Sequence, residues 1–166
     1  MGNDSGEQEA HFRDEQEKQF FTELLCSGEK NIDDYSYLFD FREPKDKRSE
    51  FNRRRDKILK FLIAAEGMHC ILHYGNCDLK SGYNVDHIIP LSTNIINKHI
   101  RKIPAEKGKK VKTESYGSND IYNLGIACQN CNFVKKHRFL TKEEMKALLE
   151  NKEKIYAGKH IDINDL

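Results

Sequence analysis

The chain has 166 residues, of which 37% are hydrophobic and 33% charged, and its formal net charge is only +1. This composition is too apolar for a disordered protein, and the small net charge gives no global sign of a nucleic-acid partner. There is no apolar run of membrane-spanning length and no secretory pattern, so we expect a soluble, intracellular, cytoplasmic protein without membrane contact.

The five cysteines are expected to be thiols or metal ligands, because disulfides are rare inside cells. Charge is unevenly distributed: residues 1–17 are acidic, whereas the middle of the chain is basic, which suits an anionic partner for the middle. Residues 1–11 contain almost no apolar side chains and are predicted to form a disordered tail.

Residues 12–67 are predicted to form a helical N-terminal region. Apolar spacing indicates one helix over about 13–26 and a stronger one over about 46–66, which Gly67 would end. The aromatic segment between them is expected to pack on the core. The polar side of the second helix carries Arg53, Arg54 and Arg55, which are either a solvated face or contacts to a nucleic-acid backbone.

The residue pattern of 68–90 differs from that of the helices before it and predicts a loop followed by a short β-hairpin, with 85–89 as one strand. Asp86 and His87 lie side by side in this apolar strand. Burying an unpaired carboxylate beside an imidazole costs several kcal/mol, so both need partners. Taken alone, the pair could simply be the polar end of a structural strand.

Residues 94–116 form a long connection with a high density of basic residues. The lysines and arginines of its central part are Lys98, Arg101, Lys102, Lys107, Lys109, Lys110 and Lys112. A flexible basic flap lying along an anionic polymer and a solvated surface insertion are both consistent with this pattern. Beyond it, a helix is expected to carry Asn132, Lys135 and Lys136, and a capping-box pattern at 141–144 predicts a last helix within a C-terminal region, 141–166.

Cys128 and Cys131 are separated by two residues, the spacing of a structural zinc knuckle. A redox pair shares this spacing but would need a thioredoxin-like context, which the sequence lacks. Cys70 and Cys77 are the preferred partners, with His73 as an alternate to Cys77. Such a tetrahedral zinc ion would contribute to folding and would hold the hairpin against the helix.

Three motifs in order resemble the HNH endonuclease family. Residues 85–92 (VDHIIPLS) look like its first motif, 117–124 (GSNDIYNL) like its central asparagine segment, and 128–135 (CQNCNFVK) like its third motif. The resemblance covers about residues 70–137. It implies an α+β fold with a ββα-metal core at 68–140, containing structural zinc and flanked by N-terminal and C-terminal helices.

The resemblance also implies roles for individual residues. His87 would be the general base that activates water, while Asp86 and Asn132 would hold a catalytic Mg²⁺ or Mn²⁺ ion. Asn123 would brace the loop that orients His87. Lys135 or Lys136 would contact a neighbouring phosphate of the DNA, and Lys109 and Lys110 in the basic insertion are further candidates for DNA contact.

The sequence departs from the family pattern in two ways. The third motif carries Asn132 rather than histidine, which gives an HNN variant, and His137 is a poor substitute by its spacing. The second departure is the basic insertion.

A zinc-stapled nucleic-acid-binding module without cleavage is the main alternative function, and a protein-interaction domain using the aromatic segment is another. A restriction or defence setting, and a homodimer built on the apolar surface of 12–66, both stay open.

Overall fold

The computed structural model describes residues 12–136 and 138–166. The expectations for the 1–11 tail and for His137 therefore lie outside the described residues. The described residues form four α-helices: α1 (Glu15–Leu25), α2 (Pro44–Glu66), α3 (Gln129–Lys135) and α4 (Lys142–Tyr156). The strands are β1 (Tyr83–His87), β2 (Ser92–Thr93), β3 (Glu114–Ser115) and β4 (Leu124–Cys128). This mixture of helices and small sheets belongs to the α+β class, as predicted.

Short helical turns connect these elements at Ile32–Leu38, Leu79–Ser81, Ile121–Asn123 and Ile163–Asp165, together with one π-helical segment at Ile96–Ile100. Within the described part of the chain, no helix combines the length and apolarity needed to cross a bilayer.

Local sequence explains where the two N-terminal helices begin. The side chain of Asp14 accepts a hydrogen bond from the backbone N–H of Glu17 and caps α1. Pro44 is the first residue of α2, two residues before the predicted start, because its fixed φ suits the first helical turn. Gly67 ends α2 with φ of 82°, as its position after the apolar pattern predicted.

The strands β1 and β4 pair antiparallel and place Asp86 opposite Gly125 and His87 opposite Leu124. Every residue of β4 is buried, and the strand continues directly into α3. The backbone N–H of Ile71 donates to the carbonyl of Ile126 at 2.9 Å, so the segment that follows Cys70 runs beside β4. The antiparallel strand pair and the helix that follows it therefore carry parts of the first and third sequence motifs, and the central motif leads into β4.

The basic insertion is more ordered than a free flap. The strand β2, which directly precedes it, pairs with β3 near its end, and Arg101 turns inward to donate to Glu17 and Glu114 at 2.8 and 2.9 Å. Glu17 is fully buried on α1 and also accepts the hydroxyl hydrogen of Tyr116. Since Arg101 is paired inside the protein, part of the basic charge predicted for an anionic partner instead joins the insertion to α1.

Buried apolar side chains from α1, α2, β4 and α4 belong to one hydrophobic cluster. A buried lysine beside this cluster is paired. Lys152 on α4 donates to the carboxylate of Glu66 at 2.6 Å and also to the carbonyl of Leu124. This contact attaches α4 to the first residue of β4 and to the end of α2. The strand pair is consequently held from several sides.

Candidate functional site

Four cysteine side chains meet where the segment after α2 passes the β4–α3 junction. The sulfur atoms of Cys70, Cys77, Cys128 and Cys131 all lie within 4.8 Å of one another. The Sγ atoms of Cys77 and Cys128 are 3.9 Å apart. A tetrahedral ion with Zn–S bonds of about 2.3 Å requires sulfur atoms roughly 3.8 Å apart, so the donor set and its spacing fit zinc.

Backbone N–H groups point at these sulfurs. The N–H of Tyr74 lies 3.3 Å from Cys131 Sγ, and the N–H groups of Cys128 and Cys131 lie 3.4 Å from the sulfurs of Cys70 and Cys128. Burial opposes ionisation of Cys128, yet hydrogen bonds from the backbone N–H groups of Cys131 and Asp78 and from the side chains of Cys131 and Cys77 lower its pKa to about 6. A thiolate, the form that binds a metal, is therefore stabilised at this position.

The fourth member of the cluster is Cys77 rather than His73. His73 is exposed, has a positive φ of 53° and lies outside the cluster. Cys26 is half-buried at the end of α1 and is not part of the group either. The preferred set of four thiols is the one that the structure brings together.

Asp86, His87 and Asn132 line one cleft of about 540 Å³. The first two lie at the end of β1. Asn132 lies in α3, directly after Cys131, and β4 places that helix beside β1. Residues separated by 45 positions in the sequence thus share a single concave surface next to the cysteine cluster.

His87 is half-buried between α2 and the 117–124 segment. Its Nε2 lies 2.8 Å from Oδ1 of Asn119, and its ring packs against Phe51 with 4.7 Å between the ring centroids. Burial, together with the positive charges of Lys135 and Lys47, lowers the pKa of His87 to about 4. The imidazole is therefore neutral at physiological pH and can accept a proton.

Lys135 is positioned differently from the expectation that it contacts a phosphate. Its side chain is buried, and its Nζ donates to Oδ2 of Asp86 at 2.8 Å and to the backbone carbonyl of His87 at 2.7 Å. The lysine therefore holds the end of β1 against α3. Lys136 is exposed, lines the cleft, and places its ammonium 5.1 Å from the Phe133 ring centroid.

Asn123 is fully buried and connects two backbone segments. Its Oδ1 accepts from the N–H of Ile89 at 2.7 Å, and its Nδ2 donates to the carbonyls of Ile89 and Ser118 at 3.1 and 2.9 Å. These contacts fix the chain immediately after His87. They are the contacts that a residue bracing this loop would make.

One face of α2 forms the opposite wall of the cleft. Arg48, Asn52 and Arg55 line it at helical spacing. Arg53 does not line the cleft, and Arg54 donates to the carbonyl of Leu166 at 3.0 Å. Of the three consecutive arginines singled out in the sequence, only Arg55 therefore faces the catalytic candidates.

Lys109 and Lys110 are exposed, and neither lines the cleft. Lys109 pairs with Glu106 at 3.2 Å on the surface of the insertion. Sequence reasoning missed Arg48 and Asn119. Arg48 could have been found from its seven-residue spacing to Arg55, whereas Asn119 lies inside the central motif but carries no signal of its own.

Comparisons of the chain with protein-family models, with curated proteins and with solved structures gave no match. A functional conclusion therefore depends on the geometry and chemistry of the site.

Proposed function

We propose that this protein is a metal-dependent HNH-type endonuclease that hydrolyses phosphodiester bonds in DNA. The observation that carries the proposal is the convergence of Asp86, His87 and Asn132 on one cleft beside a four-cysteine cluster. The β1–β4–α3 arrangement would be the ββα-metal core. Zinc held by the four thiolates would be structural, fixing α3 against the strands.

His87 is suited to the role of general base. Its ring is neutral at physiological pH and lines the cleft, so it can take a proton from a water molecule that attacks the phosphorus atom. Lys135 binds the carbonyl of His87, and Asn123 binds the backbone N–H of Ile89, so the backbone that carries the ring is fixed at and after His87. Such restraint keeps the base in reach of a bound phosphate.

Asp86 and Asn132 would hold a divalent cation, Mg²⁺ or Mn²⁺. One carboxylate and one amide oxygen on the same cleft match the preference of these hard ions for a few oxygen ligands with several retained waters. The ion, when bound, would supply positive charge to the phosphate and to the leaving oxygen. Asparagine in place of histidine makes this pair unsuited to tight zinc binding.

The α2 wall would bind the DNA backbone. Arg48 and Arg55 are exposed, positively charged and on the same cleft as His87. Arginine is well suited to phosphate oxygens because its guanidinium donates two parallel hydrogen bonds. Lys136 on the α3 side would add a contact across the cleft.

The direct test is cleavage of supercoiled plasmid DNA in Mg²⁺ or Mn²⁺. His87→Ala should lower the rate by about 10²- to 10⁴-fold, the usual contribution of a general base. His99→Ala is the matched control, because His99 is an exposed histidine of the insertion. Zinc content must be equal in all three proteins. Undiminished cleavage by His87→Ala would contradict the proposal.

The second candidate is a zinc-stapled nucleic-acid-binding module without cleavage. The ammonium of Lys135 on Asp86 favours it, because this contact already balances a carboxylate that the nuclease would use for a metal ion. The module would bind DNA equally well as wild type and as His87→Ala, and neither protein would cleave in either metal.

A further inference from the structure

The hydrogen-bond partner of His87 in the 117–124 segment is Asn119, a residue with no role in the function proposed above. Its side chain is almost fully buried, and its Oδ1 lies 2.8 Å from Nε2 of His87. A contact of this length is a hydrogen bond. Which atom donates determines which ring nitrogen of His87 carries the proton.

The amide orientation of Asn119 settles the donor. Its Nδ2 donates to the backbone carbonyl of Lys47 at 2.9 Å, and a carbonyl can only accept. The oxygen of the amide must then face His87, and this oxygen also can only accept. Nε2 of His87 therefore carries a hydrogen. Since Nε2 is occupied by this hydrogen, Nδ1 is the ring nitrogen that is left to accept a proton when the imidazole acts as a base.

The residue whose carbonyl binds Asn119 is itself a buried lysine, Lys47. Nζ of Lys47 donates to the carbonyls of Asp40, Leu91 and Gly117 at 2.7, 3.0 and 2.6 Å. Lys47 is itself fully buried in the first turns of α2. The carbonyl that orients Asn119 therefore belongs to a residue that is anchored at three other points, and the amide has little freedom to rotate.

We propose that Asn119 is a positioning residue that holds His87 as the Nε2–H tautomer, so that Nδ1 is the atom that accepts the proton from water. This inference rests on the proposed nuclease function. In the step, a water O–H bond breaks as the Nδ1–H bond forms. The water oxygen bonds to phosphorus, and the bond from phosphorus to the leaving oxygen breaks. The resulting imidazolium keeps its Nε2–H donated to Asn119.

The first measurement is the ring tautomer of His87. Nitrogen-15 spectra of histidine-labelled, zinc-loaded protein at neutral pH should give a protonated Nε2 and an unprotonated Nδ1 in the wild type. Asn119→Ala should lose this single tautomer because the acceptor is gone. Asn151→Ala, which alters an exposed asparagine on α4, is the matched control and should leave the His87 signals unchanged.

The second measurement is plasmid cleavage by the same proteins. Asn119→Ala should lower kcat roughly 100-fold with little change in KM, since a base held in the wrong tautomer loses its function while binding surfaces stay intact. Asn119→Asp keeps an acceptor for Nε2–H but loses the N–H that donates to the Lys47 carbonyl, so it should restore the tautomer and part of the lost kcat. This variant decides the matter if Asn119→Ala does not fold.

A wild-type protein that cleaves DNA but holds the Nδ1–H tautomer would overturn the inference. Equal losses of kcat in the Ala and Asp variants, with the Nε2–H tautomer retained in both, would overturn it as well. A wild-type protein with the Nε2–H tautomer that cleaves no DNA would instead contradict the proposed function.

Discussion

The β1–β4–α3 unit and the insertion at 94–116 are both dense in polar residues, but they use them differently. In the first, the pairing of β1 with β4 brings Asp86, His87 and Asn132 to one cleft beside the cysteines. In the second, Arg101 turns inward to a buried glutamate, while lysines such as Lys109 are exposed on the surface. The density of charge in a segment therefore does not locate a binding site. The basic wall of the cleft is formed instead by Arg48 and Arg55, which lie on one face of α2.

Disruption of the four-cysteine cluster should give the largest effect, because this cluster distinguishes the β1–β4–α3 unit from the insertion. Structural zinc contributes on the order of 10 kcal/mol to folding in small zinc domains. Cys128→Ser should lose bound zinc, DNA cleavage and cooperative thermal unfolding of the strand pair. Cys26→Ser is the control and should retain all three. A Cys128→Ser protein with a full equivalent of zinc would contradict the assignment of the ligands.

Arg101→Met tests the inward contact of the insertion. Glu17 is fully buried, so removing its arginine partner should lower the free energy of unfolding by about 3 kcal/mol. Lys107→Met, which changes an exposed residue of the same segment, should alter it by less than about 0.5 kcal/mol. Urea unfolding of both variants measures the difference, and equal stabilities would mean that the insertion is not anchored through Arg101.

Charge reversal compares the two basic surfaces directly. Arg48→Glu combined with Arg55→Glu should weaken DNA binding about 10- to 100-fold and reduce the salt dependence of the affinity, because phosphate contacts are lost. Lys109→Glu combined with Lys110→Glu should change the affinity less than about 3-fold. Binding is measured in the His87→Ala background to prevent cleavage. The reverse order of effects would place the DNA on the insertion rather than on α2.

A further effect is expected on the pH dependence of stability. The pKa of His87 falls from 6.5 to about 4 on folding, mainly through burial. The unfolded chain therefore binds more protons between these values, and stability is lost as the pH drops through this window. The difference in unfolding free energy between wild type and His87→Ala, measured without Mg²⁺, should become less favourable to the wild type towards pH 4. A constant difference would mean that the histidine is not desolvated.

The sequence allowed prediction of those parts of the site whose chemistry is local. Cys128 and Cys131 share one turn, and Asp86 and His87 stand out as a polar pair in an apolar stretch. The course of α2 followed from hydrophobic spacing, and the class of fold followed from the resemblance that the three motifs carry. These features depend on residues close together in the chain.

The unpredicted parts depend on distant contacts. Asn119 bonds to a carbonyl 72 residues away, and the inward turn of Lys135 depends on Asp86, 49 residues earlier. Arg53, Arg54 and Arg55 could not all face one partner, because successive helical residues point about 100° apart. The seven-residue spacing of Arg48 and Arg55 was visible in the sequence. Only the position of β1 shows that the face of α2 with these two residues lines the cleft.

The three carbonyls gathered by Lys47 also bear on the order in which the chain folds. Two of them belong to residues 44 and 70 positions further along the sequence, so the ammonium finds its partners only after long loops have closed. Closing such loops costs chain entropy before any contact compensates for it, and non-local contacts of this kind form slowly. The support of His87 is thus assembled late. A chain still emerging from the ribosome would carry the motif residues without an organised cleft, and the cleavage proposed above would begin only with the finished fold.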